Sequence, residues 1–419
     1  MSKLRKVYDL MMAGAVAQAR WEKQMSDNIL KNKKRLIILL ALITPIFLIS
    51  ILGAADILGG KSAYAPSHYT TTVFVASIAV GLAAGLITGC IGAGGGFIIA
   101  PALMAAGVKG ILAVGTDQFH IFAKAIMGTV LHKKLGNISV GIAVAFVIGS
   151  VLGATTGGYI QRAVYSADPV LSEAFISIVY AIILAILGFY GLADYIKLSR
   201  ARKKGVTQTD AHGGGAPLTT TKLALSIQKV KIPPVIKFDQ DFGGKTISWI
   251  FVTSIGFVVG ILAAVMGVGG GFVTFPLFVY VLGVSTPTTV GTDILQIIFT
   301  AGYSSITQYA IYGYVFYTLA MGLLLGSLIG IQIGALTTKV VPGMLIRGFW
   351  VMTILAGFAN RASVVPDKLR SLNLWKISQG ACDIFILVGN IVFWGAIGMF
   401  AIWVLGTFFK NLKAFKEEG

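Results

Sequence analysis

The sequence predicts an all-α polytopic membrane protein: two inverted repeats of transmembrane helices with glycine-broken half-helices, plus an extra N-terminal span and a C-terminal span. Three observations predict it. Hydrophobic residues make up 56% of the chain and charged residues 12%, whereas about a quarter of a soluble domain is charged. No Asp, Glu, Lys or Arg occurs from Thr246 to Thr292 or from Ile294 to Thr338, and apolar runs of about 18 residues or more can cross hydrocarbon. A glycine triplet occurs twice with the same residues trailing it. The first copy reads Gly92-Ala-Gly-Gly-Gly96-Phe97, Pro101 and Gly115-Thr116-Asp117; the second reads Gly267-Val-Gly-Gly-Gly271-Phe272, Pro276 and Gly291-Thr292-Asp293. The offset is 175 residues through the proline and 176 after it. Internal repeats broken by glycine and proline at matching places point to a transporter's binding site.

Taken in order, residues 1–35 read as a basic cytoplasmic arm and 36–58 as a first span. Residues 72–195 form the first repeat, 196–246 a cytoplasmic loop, 247–360 the second repeat, and 361–409 a loop with the final span. The arm holds Lys3, Arg5, Lys6, Lys31, Lys33, Lys34 and Arg35, and the stretch from Lys197 to Lys245 is also basic. Basic clusters beside spans stay in the cytoplasm. The 35 residues ahead of the first apolar run exceed the n-region of a cleaved signal peptide, so that run stays as a span. Apolar segments of the first repeat lie near Thr72–Ile91, Gly96–Gly107, Ile111–Leu131, Ile138–Tyr159 and Ala174–Tyr195. Those of the second lie near Ile247–Val265, Gly271–Leu282, Thr288–Ile311, Val315–Thr337 and Gly348–Asn360. Gly213-Gly-Gly215 and Pro233-Pro234 mark irregular backbone in the central loop.

Several function classes fall away. The net charge of +18 would suggest nucleic acid in a soluble chain, but here the basic clusters flank spans and have that simpler cause. Cys90 and Cys382 lie in or beside apolar segments, so neither a disulfide framework nor a zinc site is indicated. His68, His120, His132 and His212 fall in different segments, which argues against a clustered catalytic or metal site. The chain reads as no enzyme, with no cofactor and membrane lipid as its surroundings.

Charge also orients the repeats. His132-Lys133-Lys134 corresponds to Gln308-Tyr309-Ala310, while Lys339 and Arg347 correspond to a loop where Arg162 is offset by Asp168 and Glu173. The bias swaps sides, which fits five passes per repeat and inverted topology. The short segments Gly96–Gly107 and Gly271–Leu282 then cross as half-length helices. Re-entrant hairpins would instead give four passes and parallel repeats, placing Arg200, Arg202, Lys203 and Lys204 outside against the rule. Inversion in turn places Lys109, Arg361, Lys368, Arg370 and Lys376 outside.

A helix break in hydrocarbon frees amides at several kcal/mol each, so it survives only when buried in protein or lining a wet cavity. The half-helix that begins after it offers unpaired N–H groups and a positive dipole end, a cradle for an anion. Pro101 and Pro276 suit the start of such half-helices. Substrate-binding candidates are therefore Gly94, Gly95, Gly96, Gly269, Gly270 and Gly271, with Thr116, Gln118, His120, Lys124, Thr292 and Gln296. Asp117, His120 and Lys124 share one helix face at i, i+3 and i+7, and Asp293, Gln296 and Thr300 repeat those offsets. Intramembrane acids mark ion or proton pathways, which makes Asp117 and Asp293 the proton-coupling candidates. Each also reads as a helix cap, and a capping carboxylate on a cavity can still exchange a proton. The bland alternatives are glycines that only pack helices closely, a snorkelling Lys124 and a satisfied His120. Gly149-Ser-Val-Leu-Gly153 and Gly326-Ser-Leu-Ile-Gly330 fit small-residue helix contacts within one subunit or across a homo-oligomer.

At the doubled motif, Gly92–Phe97 with Pro101 and Gly115-Thr116-Asp117 and their second copy, the chain resembles the sulfite exporter TauE/SafE family, also called the toluene-sulfonate uptake permease family. The resemblance covers about residues 72–360 plus the terminal span. It implies a multi-pass transporter of the bacterial inner membrane, N-terminus cytoplasmic, moving small sulfur anions such as sulfite, sulfonates or sulfoacetate. The Asp117–His120–Lys124 face resembles forms associated with sulfate-reducing bacteria, which adds sulfate and thiosulfate. The basic arm, first span and central loop look longer than the family's compact form. The expected function is proton-coupled secondary transport of sulfite, sulfate, thiosulfate or an organosulfonate. A passive anion channel, or a cation transporter using the Asp pair, is the alternative.

Overall fold

The computed structural model describes residues 71–91, 95–134, 138–203, 222–238, 244–338, 340–341 and 343–411. The basic arm, the first span and Gly92, Ala93 and Gly94 lie outside them. The first repeat folds as α1 (Thr71–Ile91), α2 (Gly96–Ala105), α3 (Gly110–Lys134), α4 (Val140–Ala167) and α5 (Pro169–Lys203). The central segment supplies α6 (Lys222–Lys229) and a hairpin of β1 (Val235–Lys237) and β2 (Thr246–Ser248), with Ile236 opposite Ile247. The second repeat gives α7 (Trp249–Met266), α8 (Gly271–Pro276, continuing as a π-helix over Leu277–Leu282), α9 (Thr286–Ser304, relaxing into π and 3-10 turns to Tyr312), α10 (Tyr317–Thr338) and α11 (Gly343–Ser371). α12 (Gln379–Lys410) follows. Among the described residues, seven helices are long and apolar enough to cross a membrane: α1, α4, α5, α7, α10, α11 and α12. The apolar side chains exposed on α5 (Ile182, Ile186, Phe189) and α12 (Ile384, Leu387, Ile391, Ile402) suit lipid rather than water.

Helix directions show how the repeats are related. α1 packs on α10 with Gly81 against Leu323, Gly85 against Ser327, and Gly334 against Leu86. Both sequences ascend together, so the pair is parallel. α4 packs on α7 the same way, Gly149 against Thr253, Gly153 against Phe257 and Gly157 against Ile261. Here backbones touch: a Cβ on Gly149 would lie 1.9 Å from the Thr253 carbonyl oxygen, which is why small residues line these seams. Equivalent helices, in contrast, run antiparallel. Gly188 of α5 meets Leu355 of α11 while Gly191 meets Trp350, and Gly115 of α3 meets Tyr309 of α9 while Phe122 meets Gly302. Two copies of one helix can pack antiparallel only about a two-fold axis perpendicular to them. That is inverted topology, as the charge bias predicts.

The structure departs from the sequence expectation in four places. Asp117 and Asp293 are each the eighth residue of their helix, α3 or α9, and not its cap. α11 continues through Arg361 to Ser371 instead of stopping near Asn360, because charge ends an apolar run without ending helical hydrogen bonding. Pro101 and Pro276 are each the sixth residue of their half-helix, one turn later than a starting position. There the missing N–H leaves the carbonyl of the residue four earlier, Phe97 or Phe272, without its helical donor. The central segment is partly regular: Gln228 of α6 donates to the Leu282 carbonyl at 2.7 Å, and Ile236 of β1 covers Gly141.

Candidate functional site

Gly95 and Gly270 hold equivalent places as N-caps of α2 and α8, both left-handed, at φ 58° and 85°. Gly267 and Gly269 are also left-handed, at φ 81° and 62°. Only glycine takes that backbone region without steric cost. Their repeat-one counterparts are Gly92 and Gly94, so the candidate Gly94 lies outside the described residues. Val273 and Thr274 both donate to the Gly270 carbonyl, so the amides of Gly271 and Phe272 precede the first helical bond, as the opening amides of a helix do.

The two breaks are neighbours. A Cβ on Gly96 would lie 3.2 Å from Val268 Cα, Ile121 of α3 reaches both Gly96 and Gly269, and the Phe97 and Phe272 rings pack at 5.9 Å. α7 is tied down just ahead of its break, where the hydroxyls of Tyr180 and Tyr309 donate to the carbonyls of Met266 and Ala264.

On α9, Gln296 Nε2 donates to Asp293 Oδ1 at 2.8 Å, and Thr300 Oγ1 donates to Gln296 Oε1 at 2.7 Å. Thr300 also shares a 2.6 Å hydrogen bond with Ser150 of α4. The Asp293 carboxylate rests on the start of α8, where a Cβ on Gly271 would come within 2.9 Å of Oδ2. A carboxylate there complements the helix's positive end. On α3, His120 Nδ1 lies 3.7 Å from Asp117 Oδ1, and His120 Nε2 shares a 2.9 Å hydrogen bond with Ser327 of α10. Lys124 Nζ donates to Thr88 of α1 at 3.2 Å. Ser150 and Ser327 are the serines of the two Gly-Ser-x-x-Gly seams, so each polar stripe reaches across to the other repeat.

Thr116 and Thr292 are likewise paired in role. Thr116 Oγ1 accepts from the Phe316 amide at 2.9 Å and Thr292 Oγ1 from the Ser139 amide at 3.0 Å. Each pins the residue just before the fourth helix of the opposite repeat. Gln118 Nε2 donates to the Ala263 carbonyl at 2.5 Å. Asp117, Gln118, His120, Lys124, Asp293 and Gln296 are all buried. Both Asp117 carboxylate oxygens, Gln118 Oε1, His120 Nδ1 and Ser304 Oγ are buried without a hydrogen-bond partner. Buried polar atoms are rarely left so, and those of Asp117, Gln118 and His120 fall within one turn of α3.

Sequence reasoning did not single out Ser150, Ser327, Thr88 or Tyr180 as members of this site. The matched serines were visible in the small-residue seams; Thr88 and Tyr180 carry no local signal. Among the described residues no group of three or more His, Cys, Asp or Glu is placed to hold a metal.

Inverted repeats with neighbouring helix breaks, and buried acidic side chains on α3 and α9, mark a polytopic membrane transporter. The chain belongs to the sulfite exporter TauE/SafE family, whose model matches residues 77–360. It is also similar to the probable membrane transporter protein YunE of Bacillus subtilis (strain 168), 25% identical over 274 residues that cover 62% of this chain and 87% of the relative. No solved structure matches it significantly. Family membership implies a small anion as substrate.

Proposed function

We propose that the protein is a proton-coupled secondary transporter of a sulfur oxyanion, sulfite, sulfate, thiosulfate or an organosulfonate, in the bacterial inner membrane with its N-terminus cytoplasmic. The observation that carries this reading is the adjacency of the two breaks, Gly96 against Val268, with buried acids beside them. The anion sits between the glycine triplets, held by the free amides after Gly95 and Gly270 and by polar groups of Thr116, Thr292, Gln118, His120 and Gln296. Lys124 supplies positive charge. An anion bound between Asp117 and Asp293 is repelled by both carboxylates in a medium of low dielectric. A proton taken up on either relieves that repulsion, so anion and proton move together. The repeats, residues 72–195 and 247–360, rock about their shared axis to expose the site to each side in turn. The chemistry is translocation, with no bond made or broken.

The test is flux in proteoliposomes loaded with [35S]sulfate or [35S]thiosulfate, or assayed for sulfite. Accumulation that follows an imposed pH gradient supports the reading. Flux that follows the electrical and concentration gradients alone identifies a channel, and no flux of any sulfur oxyanion refutes transport of this class.

A further inference from the structure

Arg361 is 2% exposed and makes no ion pair among the described residues. Its guanidinium presents five N–H donors. Two groups receive them: Asn360 Oδ1 accepts from Nε and Nη2 at 2.8 and 2.6 Å, and Met104 Sδ, a weak acceptor, takes Nη1 at 3.3 Å. Two donors remain. Burying an arginine outside an ion pair is costly, and Glu173, whose charge acts on Arg361, is already paired with Lys368. A cavity of about 180 Å³ opens beside it, lined also by Lys368, Glu173, Asp367 and Asn390. At ~30 Å³ per water, that is room for a small oxyanion and several waters. Lys368 stands at the cavity mouth, partly exposed and paired with Glu173 at 2.6 Å.

The cavity is set apart from the glycine breaks yet aligned with them. Its wall includes Met104 and Ala105, the last residues of α2, while Gly96 begins that helix. At 1.5 Å per residue the two ends are roughly 14 Å apart. Tyr180, buried on α5 with its hydroxyl on the Met266 carbonyl ahead of the second break, interacts electrostatically with both Arg361 and Asp117. Glu173 is at the start of α5, so the cavity is at the bundle end opposite the basic central segment that follows Lys203. Repeat one offers no counterpart: α5 carries no Lys or Arg before Lys197.

We infer that the Arg361 cavity is a second, outer oxyanion site that captures the transported anion before it passes Tyr180 to the glycine breaks. The inference rests on the transport reading above. A phospholipid phosphate shares this chemistry, so the test must separate the two sources.

The experiment uses the full chain in nanodiscs, with [35S]sulfate and [35S]thiosulfate as probes. Bound anion per chain, bound phospholipid phosphorus and flux are measured for wild type, Arg361→Gln, Arg361→Lys, Lys368→Gln and Asp117→Asn. Wild type is expected to bind two anions and Arg361→Gln one, with Arg361→Lys intermediate. Arg361→Gln raises KM about tenfold, one charge-assisted contact's worth, with kcat within about twofold. Should Arg361→Gln fail to fold, Lys368→Gln at the mouth decides: about threefold weaker outer-site binding supports the inference and unchanged binding overturns it. Asp117→Asn is expected to keep both anions, and one anion per wild-type chain that Arg361→Gln leaves in place overturns this inference alone. Loss of phospholipid phosphorus in Arg361→Gln with anion binding unchanged also overturns it, assigning the cavity to lipid. No anion bound by the wild type would sink the transport reading as well.

Discussion

Phe97 and Phe272 meet ring to ring at 5.9 Å, their planes inclined by 43°, although 175 residues separate them in the chain. Each is the second residue of its half-helix, so the same position of two copies of one motif makes a contact with its own counterpart. Only a two-fold relation between the repeats does this. The axis passes between the rings, and it brings the two glycine breaks and the two aspartate faces together from opposite ends of the sequence.

The left-handed glycines are required at the break. Gly270→Ala puts a Cβ in a region that costs an L-residue about 1–2 kcal/mol, and that Cβ would lie 2.5 Å from Val259 Cγ1. A lower unfolding temperature and sharply reduced flux are expected. Gly395→Ala is the control. This α12 glycine has nothing within 4 Å of a new Cβ, and alanine is favoured over glycine in a helix by about 0.5–1 kcal/mol. Its melting temperature should hold or rise.

Asp117→Asn and Asp293→Asn keep the shape of each side chain and remove the proton site. Under the proposed coupling, each variant still binds and exchanges the anion but no longer accumulates it against a pH gradient. Counterflow with equal pH on both sides should persist while pH-driven uptake falls about tenfold or more, a 1.4 kcal/mol effect at least. Unaltered pH-driven uptake in the double variant would remove the acids from the mechanism.

The stripes couple the repeats through the seam serines. Ser150→Ala, Thr300→Ala and their combination form a cycle across one hydrogen bond of 2.6 Å. A coupling energy of about 1 kcal/mol is expected from thermal unfolding in detergent. Ser327→Ala with His120→Gln tests the matching contact in the other repeat. Coupling near zero in both cycles would mean that the pairs touch without holding the repeats together.

Inversion is open to a direct labelling test. In a chain with Cys90 and Cys382 replaced, a single cysteine at Lys222 reports the side reached after the first repeat. One at the half-exposed Trp375 reports the side reached after the second. Inverted repeats of five passes place them on opposite sides, so an impermeant maleimide added outside intact cells labels only Trp375→Cys. Labelling of both from the same side would require parallel repeats.

Much of the fold was legible because the signals that specify it are local. Charge-free runs, a motif recurring at fixed offset and a switch in loop charge indicated the helical spans and the inversion. The spacing Asp117–His120–Lys124 gave one face of α3, since helical periodicity needs no knowledge of neighbours. What the sequence could not give is which distant groups those faces meet. His120 finds Ser327 across 207 residues and Gln118 finds the Ala263 carbonyl across 145, contacts set by how the repeats pack about their axis. Arg361 read as a charge on the wrong side of a membrane, and only packing turned it into the wall of a cavity. The hydrophobic pattern decides which segments enter the bilayer, because transfer from water acts on each residue independently. The pairing of buried polar groups is decided in the folded bundle, because a hydrogen bond needs both partners in place at once.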